Sequence, residues 1–179
     1  MQVCPNFPLA EELIRSFSSD LGDDLPAYVN HVCRVLNYYL ALTKPATTVP
    51  EVVLIASAFH DLGIWTDHTF DYLGPSVLLA KHYLSSQNLA YLEREVEAVI
   101  TEHHKILPYT EQPASQVEAF RKADLIDVSL GLVRFGLPSS FVRAVKSAFP
   151  NEGFHWRLVT LTAKQFLRTP LRPLPMIHW

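Results

Sequence analysis

Apolar positions along the chain recur at three- and four-residue spacing, and no run of strict alternation with Asn-Gly or Asp-Gly turns interrupts them. The pattern predicts helices packed on helices. A first helix is expected from about Pro8 to Ser19, and a second from about Asp24 to Thr43, with acidic residues and Pro26 at its start. Tyr28, His31, Val35 and Tyr38 share one face of that second helix. A third is expected from Thr48, where Thr-Val-Pro-Glu sets a capping residue three positions before Glu51, to Gly63 as its terminator. Its run Val-Val-Leu-Ile-Ala-Ser-Ala-Phe is apolar all round, the mark of a helix buried on every side.

Beyond it, Ile64 to Gly74 reads as a loop, Pro75 opens a fourth helix to about Ser86, and Asn88 caps a fifth from Leu89 to about His104. On the fifth, Val96, Val99, Ile100 and His103 share a face. A Pro-containing loop from Lys105 to Pro113 leads into a sixth helix, Ala114 to about Leu130, which aligns Val117, Phe120, Asp124 and Asp127. Two more are expected over Ser139 to Phe149 and Phe154 to Arg168, before a proline-rich tail that cannot continue a helix and either drapes over the surface or reaches a partner. The expectation is a single compact all-α domain over residues 1–179, a bundle of seven to eight helices.

Composition narrows what such a bundle does. Of the 179 residues, 49% are hydrophobic and 18% charged, enough apolar matter for one well-filled interior. No apolar run approaches the roughly 20 residues of a membrane span, and the N-terminal stretch lacks the basic start and apolar core of a signal peptide, so a cytoplasmic protein with no membrane partner is expected. Cys4 and Cys33 stand far apart in no CxxC pairing, which reads as two ordinary thiols. A net charge of -3 and a pI near 6.2 offer no basic surface, so duplex nucleic acid is a poor partner and a small-molecule substrate in a local pocket the better one. A homo-oligomer is left open.

Against that background a few polar residues stand out. His60 and Asp61 directly follow the apolar run of the third helix, where a polar pair has little structural purpose. Neighbouring helical residues project about 100 degrees apart, so both can reach one ion lying near the helix end. His31 lies on the inner stripe of the second helix and Asp124 on that of the sixth, where a carboxylate is costly to bury unless something positive meets it. Imidazole nitrogen and carboxylate oxygen suit a divalent first-row metal, and two carboxylates offset its charge.

The order of these residues resembles the HD superfamily of metal-dependent phosphohydrolases. His31-Val-Cys-Arg34-Val resembles that family's histidine-plus-Arg-Val opening, Phe59-His60-Asp61-Leu62-Gly63 its central motif, and Ala-Asp124-Leu-Ile-Asp127 its later aspartate, over roughly residues 27–129. The resemblance implies His31, His60, Asp61 and Asp124 as ligands of one divalent ion (iron, manganese, zinc, cobalt and nickel are not distinguished) and a metal-activated water as nucleophile. It implies a hydrolase of a small, phosphorylated or nucleotide substrate. A hydratase or lyase resembling cyanamide hydratase, or a non-catalytic metal-binding sensor module, is the alternative.

Other roles follow less directly. Glu102-His103-His104-Lys105 resembles the histidine pair that supplies a second metal or substrate contacts in several branches, although Ile64 and Trp65 stand where such branches carry a further ligand, so a single ion is the expected complement and a second the alternative. Ile64 also occupies the position of the usual general-acid glutamate, leaving His103, His104, Asp71 and Asp127 as candidate proton-transfer groups, with Asp127 equally placed to orient a histidine ligand. Arg34, Lys105 and Lys122 are candidates for anion recognition, and the loop aromatics Trp65, Phe70, Tyr72 and Tyr109 for the pocket wall.

Overall fold

The computed structural model of the chain describes residues 1–112, 114–169 and 174–177, and is all-helical over them. In chain order the elements are α1 (Pro8–Arg15), α2 (Ser18–Leu21), α3 (Leu25–Leu42), α4 (Glu51–Phe59), α5 (Gly63–Thr66), α6 (Leu73–Ser86), α7 (Glu93–Glu102), α8 (Ala114–Val128), α9 (Ser139–Ala148) and α10 (Phe154–Arg168). Eight of these have eight residues or more, as the periodicity predicted. No helix among the described residues is long and apolar enough to cross a membrane. Of the proline-rich tail, residues 170–173 and 178–179 lie outside the described part.

The long helices α3 and α8 lie along each other and form the spine, with α4 and α7 packed beside them and α1 and α6 closing the outer side. Along α3 the chain turns Tyr28, Val32, Val35, Leu36 and Tyr38 inward, and all are buried. On α4, Val52, Val53, Ile55, Ala56 and Phe59 are buried as well, as an all-round apolar helix must be.

The boundaries depart from expectation where local chemistry competes. The first predicted helix breaks at Ser16, whose hydroxyl bonds back to the Leu13 carbonyl at 2.6 Å, and the chain restarts as α2. Thr48 does not cap α4; Pro50 precedes the helix and no side-chain cap bond forms. Asn88 takes a left-handed conformation (φ 59°) in the turn before α7 instead of capping it, and a short 3-10 turn over Ala90–Leu92 comes first. The expected loop from Ile64 to Gly74 is partly helical, and α6 begins at Leu73, two residues before Pro75.

Gly63, expected to terminate a helix, instead begins α5. A Cβ there would lie 2.6 Å from the Tyr72 carbonyl oxygen and 2.9 Å from Pro75 Cβ, so the glycine lets the start of α6 press against the His60–Asp61 turn. Its amide donates to Ser76 Oγ at 3.0 Å, pinning the two segments.

Candidate metal centre

Where α4 ends, the chain continues in tight three-residue turns: Leu62 N–H reaches the Phe59 carbonyl and Ile64 N–H the Asp61 carbonyl. This turn presents His60 and Asp61 side by side toward α3 and α8. Tyr28 supports it from beneath, its hydroxyl donating to the Ala58 carbonyl at 3.0 Å and accepting from the Asp61 amide at 3.3 Å.

Three side-chain atoms converge there, from His31, His60 and Asp61, and Asp124 approaches the two histidines. His31 Nε2 is 3.1 Å from His60 Nε2, 3.8 Å from Asp61 Oδ2 and 3.5 Å from Asp124 Oδ1; His60 Nε2 is 3.4 Å from Asp61 Oδ2 and 3.9 Å from Asp124 Oδ1. Ligands about 2.1 Å from a common ion stand roughly 3.0 Å apart in octahedral and 3.4 Å apart in tetrahedral geometry. The observed edges span that range and slightly exceed it.

Tautomers sharpen the fit. His60 Nδ1 lies 2.7 Å from the Ser57 carbonyl, which only accepts, so Nδ1 carries the proton. His31 Nδ1 lies 2.8 Å from Asp127 Oδ2 and donates likewise. Burial pulls the His60 pKa down to about 3, so that ring is neutral. Its Nε2 lone pair therefore faces the second imidazole nitrogen at hydrogen-bond distance, an arrangement that needs a cation between the rings or a second proton on His31.

The carboxylates carry the same message. Burial pushes Asp124 up to about 6, opposed by His103 and His31 and reinforced by Asp61 and Asp127. For Asp61, burial also acts upward, but the flanking imidazoles, among them His103 with its raised pKa, outweigh it and hold the carboxyl well below the usual range. Two anions in one dry site call for positive charge.

A second edge of the cluster faces His103 and His104. His103 Nδ1 donates to the Ile100 carbonyl at 2.7 Å, leaving Nε2 3.5 Å from Asp61 Oδ1; both of those buried atoms lack a hydrogen-bond partner. His104 Nδ1 lies 3.8 Å from Asp124 Oδ2, and its Nε2 is held at 2.6 Å by the Tyr72 hydroxyl. Each carboxylate thus turns one oxygen to the His31–His60 pair and the other to the His103–His104 pair. Among the described residues, His31, His60 and Asp61 form one group with metal-ligand spacing, and Asp61, His103 and His104 another.

His31 is braced by Asp127, in the orienting role that was one of its two readings, and through it by Arg34, which was a candidate for anion recognition. Arg34 is buried and donates Nε to Asp127 Oδ1 at 2.6 Å and Nη2 to Asp127 Oδ2 at 2.8 Å, with Nη1 on the carbonyls of Phe149 and Pro150. It is committed to orienting Asp127, and through it His31, and cannot also meet a substrate anion. Burial raises the Asp127 carboxyl, but the bonds from His31 and Arg34 overcome this and hold it well below its ordinary value. Phe154, which the sequence did not single out, lies flat on the His31 ring at 4.0 Å between centroids.

Beside the cluster opens a cavity of about 380 Å³, reached by Asp61, His103, His104 and Asp124 and walled by Phe70 and Tyr72 among others. A larger apolar groove, about 840 Å³, runs along α10 and shares Val128, Leu158, Thr162 and Leu174 with it, but holds none of the clustered ligands. Lys105, a candidate for anion recognition, lines the smaller cavity and pairs with Glu102 at 3.2 Å. Lys122 does not line it; it pairs with Glu118 at 3.2 Å and lies over Phe135. Trp65 packs on Tyr28 and donates to Asp24 at 2.9 Å, and Tyr109 sits over Lys105 with its amide on Glu118, so neither walls the cavity. Asp71 is exposed in the loop before α6 and is not among the cavity residues. Arg121, Leu158 and Met176, which do line it, come from positions where only tertiary packing gives them meaning. No protein-family model, curated protein or solved structure matches the chain.

Proposed function

We propose that this chain is a metal-dependent hydrolase of the HD type, acting on a small molecule held in the 380 Å³ cavity beside the cluster. The observation that carries this reading is the meeting of His31, His60, Asp61 and Asp124, with both imidazole Nδ1 protons committed elsewhere and both Nε2 atoms turned to one point. A divalent ion bound there supplies Lewis acidity and lowers the pKa of water toward neutrality.

The chain's own groups do the rest. Asp127 and the Ser57 carbonyl fix the histidine tautomers. Burial keeps His104 well below the ordinary histidine range, so its ring is neutral, and the Tyr72 hydroxyl holds that ring against the cavity. The resemblance makes phosphate esters and nucleotides the first substrates to screen. The unpartnered Asp61 Oδ1 and His103 Nε2 favour a second ion as the alternative complement.

The test is metal content of the protein purified without added metal, followed by turnover of small esters and phosphates across iron, manganese, zinc, cobalt and nickel. His60→Ala and Asp61→Ala each remove a ligand from a four-residue set and are expected to lose most of the bound metal and the activity with it. Wild-type occupancy in both variants would refute the assignment.

A further inference from the structure

The cavity lining is of two unlike kinds. Asp61, Asp124, His103 and His104 supply polar groups from the cluster. Much of the remaining wall is apolar, with Phe70, Leu125, Val128, Leu158, Leu174 and Met176 drawn from the loop before α6, from α8, from α10 and from the described part of the tail.

Among the described residues two cations line the cavity, and each has a carboxylate partner. Arg121 is buried and makes a two-pronged bond to Glu118, at 2.8 Å from Nε and 2.9 Å from Nη2, with Nη1 on the Lys105 carbonyl at 3.1 Å. Lys105 pairs with Glu102 at 3.2 Å. A charged group on the part of a substrate remote from the cluster would therefore lose its hydration and meet no free counter-charge among the described lining residues. An apolar group would be buried against aliphatic and aromatic walls at a gain.

We infer that the substrate class is a small molecule whose non-reacting body is uncharged and apolar, the polar or anionic reacting group alone being met by the metal cluster; a nucleotide, with a charged and hydrophilic body, is disfavoured. This rests on the metal-centre reading above, and it narrows that reading's substrates to esters, amides or phosphates of aliphatic or aryl groups. Leu158 on α10 and Leu125 on α8 are the residues that set the preference.

Metal-chelating hydroxamates test it without knowledge of the substrate. Acetohydroxamate, butanohydroxamate and hexanohydroxamate are titrated calorimetrically into the reconstituted protein beside the monohydroxamate of adipic acid, which has the hexanoyl length but ends in a carboxylate. Affinity is expected to rise about fourfold for each buried methylene, and the adipic compound to bind at least about tenfold more weakly than hexanohydroxamate. Leu158→Lys, checked for helicity and metal content, is expected to reverse that last preference.

Metal content on the same preparations separates the outcomes. A chain that takes up no metal refutes the metal-centre reading and this inference with it. A chain that holds metal but shows a flat series, tighter binding of the adipic compound, or no change of preference in Leu158→Lys overturns the inference and leaves the metal centre standing.

Discussion

Replacing Asp127 by asparagine tests the brace behind His31. In the native protein its carboxylate accepts three bonds, from Arg34 Nε at 2.6 Å, Arg34 Nη2 at 2.8 Å and His31 Nδ1 at 2.8 Å, all in the interior. The carboxamide keeps one acceptor and turns a donor toward a donor. Arg34, only 2% exposed, then retains the Phe149 and Pro150 carbonyls but no anion. Leaving one partner of a buried pair charged typically costs about 3 to 5 kcal/mol, and Asp127→Asn is expected to lose that much stability in urea unfolding of the metal-free protein. Because the same carboxylate orients a proposed ligand, metal affinity should also fall by about ten- to a hundredfold. Asp124→Asn, which removes an anion from the cluster itself, should cost more affinity than Asp127→Asn, as titration of the two metal-free variants would show. Adding Arg34→Met to Asp127→Asn removes the stranded charge, so the double variant should lose less stability than the sum of the singles, with a coupling of about 0.5 to 3 kcal/mol. An Asp127→Asn protein within about 1 kcal/mol of wild type, or equal affinity losses at both aspartates, would show that the bracing and the ligand assignment are wrong.

His103→Ala combined with His104→Ala is expected to spare the ion at His31, His60, Asp61 and Asp124 and to reduce turnover; elemental analysis showing half of a two-ion complement lost would establish the second site. Glu118 is held down to about 2, burial acting upward but the bonds from Arg121, the Tyr109 amide and Lys122 prevailing. A depressed carboxyl contributes stability that is present above its unfolded pKa of about 4.3 and lost as pH falls through the folded value. Glu118→Gln should therefore flatten the loss of stability between about pH 4 and 2, read by thermal melts across that range; an unchanged acid slope would refute the pairing.

Helix content and the four proposed ligands were legible in the sequence because each leaves a local trace. Periodicity sets which face of α3, α4 and α8 is apolar, and a histidine or aspartate on such a face needs a partner in space to offset its burial. That pattern marks His31, His103, Asp124 and Asp127 alike, and it is the resemblance that implies His31, His60, Asp61 and Asp124 as the ligand set; His31 lies within 3.8 Å of the other three. Helix ends were less legible: Thr48 and Asn88 are good caps in isolation, but a proline and a left-handed turn decide those boundaries instead.

What the sequence by itself determined is the inventory: an all-helical chain with a small set of buried metal-ligand residue types in a definite order. Only the tertiary structure decided which partners the cations and aromatics take. Arg34, Lys105 and Lys122 look alike as candidate anion binders until packing gives each a carboxylate partner. Trp65 and Tyr109 look like pocket walls until their rings turn to Tyr28 and Lys105. The reason is that an ion pair or a ring contact depends on which distant helix supplies the neighbour, and residues such as Asp127 and Arg34, or Phe154 and His31, meet only once α8 and α10 have folded back along α3.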